Sequence, residues 1–198
     1  GLLDEANKWY TQIYPKVIYN KVAKTFTFPS GAKIRFLGCE GEEDYLKFKG
    51  AEWHALYFEE LTQFTEAQYG FLCSRVRNPK GKIPLRIRSS TNPGDVNEGW
   101  VMQRYMPWIY PYCFEKIDPP IKMKMGDVLY YYADQEKDYE IVTTDQKPTG
   151  KHKEDYFTFS FIRTHASDLG DGQEQRLAIN VKDPVLRMQQ LDGIWGLR

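Results

Sequence analysis

The sequence predicts an α/β fold in which short parallel strands carry polar chemistry to one edge of a sheet. Two phrases point to it. The run His54-Ala55-Leu56-Tyr57-Phe58 breaks abruptly into Glu59-Glu60, and a short apolar run ending in acids is how a buried parallel strand delivers charge to the carboxyl edge of a sheet. Downstream, Ile83-Pro84-Leu85-Arg86-Ile87-Arg88 is a second strand candidate that ends in Ser89-Ser90-Thr91-Asn92-Pro93-Gly94. Open α/β sheets bind ligands at that edge.

The remaining elements follow in order. Residues 4–19 show helical spacing with Trp9, Ile13 and Val17 on one face, interrupted by Pro15. Thr25-Phe26-Thr27-Phe28, the turn Pro29-Ser30-Gly31 and Lys33-Ile34-Arg35-Phe36-Leu37 alternate with period two, which signals a hairpin. An acidic loop from Glu40 to Asp44 leads into Tyr45-Leu46-Lys47-Phe48-Lys49-Gly50. After the 54–58 strand, Thr62 and Thr65 are alternative caps for a helix over 66–75. Beyond the turn at Asn92-Pro93-Gly94, residues 100–105 read as a helix ended by Pro107, and Pro107, Pro111, Pro119 and Pro120 make 107–120 irregular. Residues 127–144 read as a hairpin, 128–132 against 139–143, followed by a polar loop over 146–153. Tyr156-Phe157-Thr158-Phe159-Ser160-Phe161-Ile162 is a strand, and 184–191 a helix that closes at Asp192-Gly193-Ile194-Trp195.

At 198 residues the chain fits one domain with a core of its own. Lys plus Arg and Asp plus Glu both number 27, which excludes the global basic field of a nucleic-acid-binding protein. Charge is uneven all the same: Arg75, Arg77, Lys80, Lys82, Arg86 and Arg88 share a stretch without an acid. Cys39, Cys73 and Cys113 are odd in number and far apart, and His54, His152 and His165 are as scattered, so neither a disulfide framework nor a metal-ligand spacing emerges. That usage fits a reducing, intracellular compartment. No apolar run reaches transmembrane length. The 14 Tyr, 11 Phe and 5 Trp are spread through every segment, as core and strand packing requires, rather than gathered into a base-stacking platform.

The two acids and the hydroxyl–amide phrase together suggest a nucleotide triphosphatase site. In such a site the first acid, Glu59, holds magnesium through water and the second, Glu60, orients the attacking water. A glycosidase pair needs two carboxylates facing each other across about 5 to 9 Å, which neighbours on one strand supply poorly. The plainer alternative is a strand end followed by a helix whose first turn carries acids for its dipole. Arg75, Arg77, Arg86 and Arg88 read either as surface charge and helix C-terminal cations or as contacts to DNA phosphates or to a neighbouring subunit's nucleotide.

Several phrases in fixed order resemble the ATPase part of the tailed-phage terminase large subunit. They are Phe28-Pro29-Ser30-Gly31-Ala32-Lys33-Ile34-Arg35-Phe36, Phe48-Lys49-Gly50-Ala51-Glu52, the Walker B-like Leu56 to Glu60, Thr91-Asn92-Pro93-Gly94 with Trp100, and Leu191-Asp192-Gly193-Ile194-Trp195. The last is similar to the Leu-x-Gly-x-Trp phrase that closes the family's ATPase domain. The family's Walker B is usually Asp-Glu and here it is Glu-Glu, whose extra methylene still reaches magnesium through water. A Gly-x4-Gly-Lys-(Ser/Thr) phosphate loop does not occur: Gly81-Lys82 precedes isoleucine and Gly150-Lys151 precedes histidine.

The resemblance implies a P-loop NTPase (ASCE-type) α/β sheet with flanking helices, its first strand missing, and a β-hairpin insertion at about 127–144. On this reading residues 1–198 are a partial ATPase domain with a closing helix at about 184–195, an internal fragment without the phosphate loop and the nuclease. It further implies ATP and magnesium as cofactors, with Glu59 and Glu60 catalytic and Thr91 and Asn92 sensing the γ-phosphate. Double-stranded DNA, the terminase small subunit and the portal protein would be partners of a homo-oligomeric ring in the host cell cytoplasm, with no membrane. The rival classes are a catalytically inactive prophage remnant serving as an interaction module and an unrelated carboxylate hydrolase. A sheet lacking its phosphate-loop strand leaves two flanks unpaired. Strands 84–90 and 156–162 are therefore expected to close on each other, or a second copy to supply the edge, since Phe157, Phe159 and Phe161 are too apolar for solvent.

Overall fold

The computed structural model of the chain describes residues 1–78, 81, 83–134, 140–150, 156–163, 183–190 and 192–196. Expectations that involve Lys80, Lys82, the Tyr139 end of the hairpin, residues 151–153 of the polar loop, His152, His165 and Leu191 lie outside the described residues. Two compact units emerge, 1–49 and 50–198.

In the first unit, helix α1 (Leu2–Ile13) stops short of the expected Tyr19. Tyr14 precedes Pro15, whose ring disfavours the helical region for the residue before it, and Tyr14 sits at φ −124°, ψ 82°. The freed residues form β1 (Ile18–Asn20), which pairs antiparallel with β2 (Thr25–Thr27), and β2 in turn with β3 (Lys33–Arg35). The expected hairpin thus gains a third strand. The β1–β2 turn closes through the Ala23 N–H donating to Asn20 Oδ1 at 2.9 Å. The face of α1 also differs from expectation. Trp9 and Ile13 are exposed, and the packing side is aromatic. Tyr10 meets the fully buried Phe26 edge-on at 5.1 Å, Tyr19 stacks on Phe26 at 4.3 Å, and Tyr14 meets Phe28 at 5.1 Å. Offset and edge-on rings gain from the aromatic quadrupole beyond area burial, so Tyr10 rather than the Trp9–Ile13 face meets the sheet. Asp44–Phe48 forms a 3₁₀ stretch. The hydrogen bond from Lys47, helped by the Gly41 and Glu40 N–H groups, holds the Asp44 carboxyl below the usual carboxylate range.

The second unit is also mixed α/β, and the described residues of the two units form three small sheets: β1-β2-β3, β4-β5 and β7-β6-β8. Strands β4 (Ala55–Phe58) and β5 (Arg86–Ser89) are parallel, with Ala55 opposite Arg86 and Phe58 opposite Ser89. Helix α2 (Glu66–Cys73) lies between them in sequence. Of the two cap candidates, Thr65 performs the role: Gln68 N–H donates to its hydroxyl at 3.2 Å, and its own N–H donates to Gln68 Oε1 at 2.9 Å.

Helix α3 (Glu98–Ile109) runs through Pro107, which was expected to end it. Proline inside a helix costs about 3 kcal/mol. Here burial of Trp108 and Ile109 just beyond it, to 1 % and 0 % exposure, holds the last turn in place. The Trp108 indole N–H also donates to Asp127 O at 3.1 Å. The hairpin of β6 (Leu129–Asp134) and β7 (Glu140–Thr144) forms with Tyr132 opposite Val142.

The expected closure of 84–90 on 156–162 does not occur. Strand β8 (Phe157–Phe159) pairs antiparallel with β6 instead, and among the described residues the outer edge of β5 has no strand beside it. Aromatic packing decides the competition: Tyr131 stacks on Phe157 at 5.3 Å, and Phe159 meets Trp108 at 5.3 Å. Stacking on one face suffices for Phe157, which remains 65 % exposed. The terminal helix α4 (Pro184–Gln190) forms as expected, and beyond it Trp195 is buried and bridges in parallel to Cys113. No described helix is long and apolar enough to cross a membrane.

Candidate functional site

The carboxyl ends of β4 and β5 lie side by side. Phe58 is buried at the end of β4 and Leu61 is fully buried three residues on. Both must turn inward, so the chain reverses sharply between them and extrudes the two acids. Glu60 achieves the reversal in the left-handed region, at φ 52°, ψ 65°. A non-glycine residue held there costs about 1–2 kcal/mol. The cost is met by anchors on both sides: Ser90 N–H donates to Phe58 O at 3.0 Å, Leu61 N–H to Ser90 O at 2.8 Å, and Gln63 N–H to Glu60 O at 2.9 Å. A 3₁₀ turn over Leu61–Gln63 follows.

This geometry separates the two acids. Glu59 is exposed at the strand end, whereas Glu60 is half-buried and faces the loop after β5. From that loop the Asn92 side-chain amide reaches both Glu60 carboxylate oxygens, each at 3.4 Å. Thr91, also half-buried, donates its hydroxyl to Thr62 Oγ1 at 3.4 Å. The structure therefore brings Glu59, Glu60, Thr91 and Asn92 to one sheet edge.

The four arginines do not converge there. Arg77 N–H donates to Trp53 O at 3.0 Å, which places the end of α2 beside the amino end of β4, away from the acids. Arg75 lies over the Phe71 ring at 5.0 Å and donates to the Ser74 hydroxyl, and Arg77 forms an exposed ion pair with Glu52 at 3.2 Å. Arg86 and Arg88 pair opposite Ala55 and Tyr57, so these four residues form one exposed face of the β4–β5 sheet.

Two participants carry no chemical signal in the sequence. Thr62, considered only as a helix cap, is fully buried and donates its hydroxyl to Asp95 Oδ2 at 2.9 Å and towards Asn92 O at 3.3 Å. Asp95 is the other. Pro93 and Gly94 bring it round; Gly94 has φ +102°, and a Cβ there would lie 2.6 Å from Gln189 Oε1 of α4. Asn97 N–H to Thr62 O at 3.1 Å and the Trp100 indole N–H to Phe64 O at 2.8 Å complete the tie between the two loops.

Beneath the site, Phe58 packs on Phe64 and Tyr69, and Tyr69 on Trp100. The Arg104 guanidinium lies over the Tyr69 ring at 5.1 Å. Burial pushes the Tyr69 hydroxyl above its ordinary range, with Tyr105 adding to the effect, and likewise raises the Cys73 thiol. This layer is therefore neutral apart from Arg104 at ordinary pH, and it braces α2 and α3 against β4.

Chemically, the edge offers an exposed carboxylate, a carboxylate held by an amide, and a hydroxyl. That set suits holding a hydrated cation and orienting a water. Among the described residues no cluster of three or more His, Cys, Asp or Glu forms a metal cage by itself. No curated protein and no solved structure matches the chain. A family model does, described as "Phage terminase large subunit", over residues 9–152. That match takes in both strands of the site, its acids and the Thr91-Asn92 loop, and the chain belongs to the phage terminase large subunit family.

Proposed function

We propose that this chain is part of the ATP-hydrolysing motor with which a tailed phage packages double-stranded DNA into its prohead. The sheet edge of β4 and β5 is read as that of a P-loop NTPase. One observation carries the reading: two parallel strands set Glu59 and Glu60 beside Thr91 and Asn92, with the Asn92 amide 3.4 Å from both Glu60 oxygens. Glu59, exposed, would hold a magnesium ion through water, and Glu60 would orient and deprotonate the attacking water. Magnesium when bound neutralises charge on the phosphate oxygens. Asn92, beside Glu60, and Thr91, beside Thr62, would sense the γ-phosphate and couple hydrolysis to movement. The donor set fits the metal-and-water half of such a site. The backbone cradle for the phosphates has no counterpart, because no Gly-x4-Gly-Lys-(Ser/Thr) occurs in the sequence. The motor reading therefore requires a phosphate-binding segment in addition to the residues of this edge.

The remaining assignments belong to the same reading. Arg86 and Arg88, on the open sheet face, are available to DNA phosphates or to the nucleotide of a neighbouring subunit in a ring. The terminase small subunit and the portal are the expected partners, in the host cell cytoplasm. The missing phosphate loop favours a second reading, a catalytically inactive remnant that acts as an interaction module. The coding DNA upstream separates them: a phosphate loop encoded in frame supports the motor, and a stop codon supports the remnant.

The direct test is hydrolysis. The 198-residue chain alone should bind ATP no better than millimolar and show no turnover. Joined to an encoded phosphate-loop segment it should hydrolyse ATP, and Glu60→Gln should lower that rate by about 10²-fold or more with ATP binding nearly intact. A Glu60→Gln rate within about threefold of the unsubstituted protein removes Glu60 from the water-activating role.

A further inference from the structure

We propose that Thr62 is a positioning residue that sets the direction of Glu60 by locking the Asn92 loop against it. The inference rests on the reading of Glu60 as the acid that acts on water. Thr62 is fully buried two residues after Glu60, in a turn that begins from a left-handed backbone. Its hydroxyl has one proton, and the short contact is to Asp95 Oδ2 at 2.9 Å, a charge-assisted bond. The longer one, 3.3 Å, is to the carbonyl of Asn92 itself. The Thr62 hydroxyl oxygen accepts from the Thr91 hydroxyl at 3.4 Å, and the Thr62 carbonyl accepts from the Asn97 N–H at 3.1 Å. Through its hydroxyl and carbonyl, Thr62 therefore meets the 91–97 loop at two close contacts, to Asp95 and from Asn97, and at two longer ones, to Asn92 O and from Thr91.

The amide that meets Glu60 belongs to that loop. Its contacts to the carboxylate are long, 3.4 Å to each oxygen, too long to hold the loop by themselves. The close bonds of Thr62 to Asp95 and Asn97 anchor the loop beside the Leu61 N–H bond to Ser90 O at 2.8 Å, and the Asn92–Glu60 approach follows from them. A threonine retained only for packing would need its shape and not its hydroxyl. Here the hydroxyl makes every side-chain bond, and its acceptor Asp95 is otherwise exposed.

Three variants separate the two roles: Thr62→Val keeps the shape, Thr62→Ser keeps the hydroxyl, and Asp95→Ala removes the acceptor from an exposed position. The first readout is the Asn92 side-chain amide by NMR of the 198-residue chain, assigned by its loss in Asn92→Asp. Thr62→Val and Asp95→Ala should both move it towards its position in Glu60→Ala, where its acceptor is gone, and Thr62→Ser should leave it near the native position. If Thr62→Val does not fold, Asp95→Ala carries the test. The second readout is ATP hydrolysis by the chain joined to a phosphate-loop segment. Thr62→Val should lower kcat by about tenfold or more with KM for ATP unchanged, and Thr62→Ser should restore it. An Asn92 signal that ignores Thr62→Val and Asp95→Ala, or that Glu60→Ala fails to move, overturns the proposal. So does an unchanged kcat in Thr62→Val. If no preparation hydrolyses ATP but the Asn92 signal behaves as stated, the positioning role stands and the proposed function is what fails.

Discussion

Replacing Glu60 by glycine and by alanine puts its left-handed backbone to a test that needs no nucleotide. At an ordinary position glycine is the less stable of the two by about 0.5–1 kcal/mol, because its unfolded chain has more freedom to lose. At φ 52°, ψ 65° the order should invert. Alanine keeps the clash between Cβ and the following carbonyl, about 1–2 kcal/mol, and glycine removes it. The relief, about 1.5 kcal/mol at mid-range, less the entropic loss, about 0.75 kcal/mol, leaves glycine ahead by about 0.75 kcal/mol. Both variants lose the same Asn92 contacts, so these cancel in the comparison. For a chain of this size each kcal/mol moves Tm by about 2–4 °C, so Glu60→Gly should melt about 1.5–3 °C above Glu60→Ala. Thermal unfolding followed by circular dichroism at neutral pH measures it. If Glu60→Ala melts at or above Glu60→Gly, the left-handed assignment is wrong, and with it the account of how the two acids are separated.

Trp108→Ala should cost about 3–5 kcal/mol, because it empties a site 1 % exposed and removes the bond to Asp127 O; a fall in Tm of less than about 4 °C would contradict that packing. Gly94→Ala should destabilise by about 1–3 kcal/mol, since its Cβ meets Gln189 Oε1 at 2.6 Å in a positive-φ backbone. Adding Gln189→Ala should recover the steric part only, and strict additivity in urea unfolding would deny the contact. Lys47→Met should raise the Asp44 carboxyl towards its ordinary value, because the Lys47 hydrogen bond is the main cause of its depression. As the folded value is the lower one, the contribution is present above the unfolded pKa of about 3.9 and is lost as pH falls through the folded value. Carbon-detected NMR titration reads it, and an unmoved Asp44 would remove Lys47 as the cause.

What the sequence determined by itself is local. The acids of Glu59-Glu60 could be read off the short run before them, the start of α2 to within the two threonines Thr62 and Thr65, and the β6–β7 hairpin from its alternation. Each of these depends on spacings of a few residues, where backbone period and side-chain direction are linked. The parallel pairing of β4 with β5 was also legible, because both runs end in polar residues that only a shared edge accommodates. Tertiary structure decided the rest. Pro107 stays inside α3 because Trp108 and Ile109 are buried beyond it, and β8 joins β6 because Tyr131 offers Phe157 and Phe159 better partners than the exposed edge of β5. Thr62 serves the site rather than a helix cap because Asp95, 33 residues away in sequence, comes within 2.9 Å of its hydroxyl. In each case a residue had two acceptable local choices, and the one adopted satisfied more buried rings or polar atoms across the fold. Such competition is settled by which distant segments meet, and residue spacing does not encode that ranking.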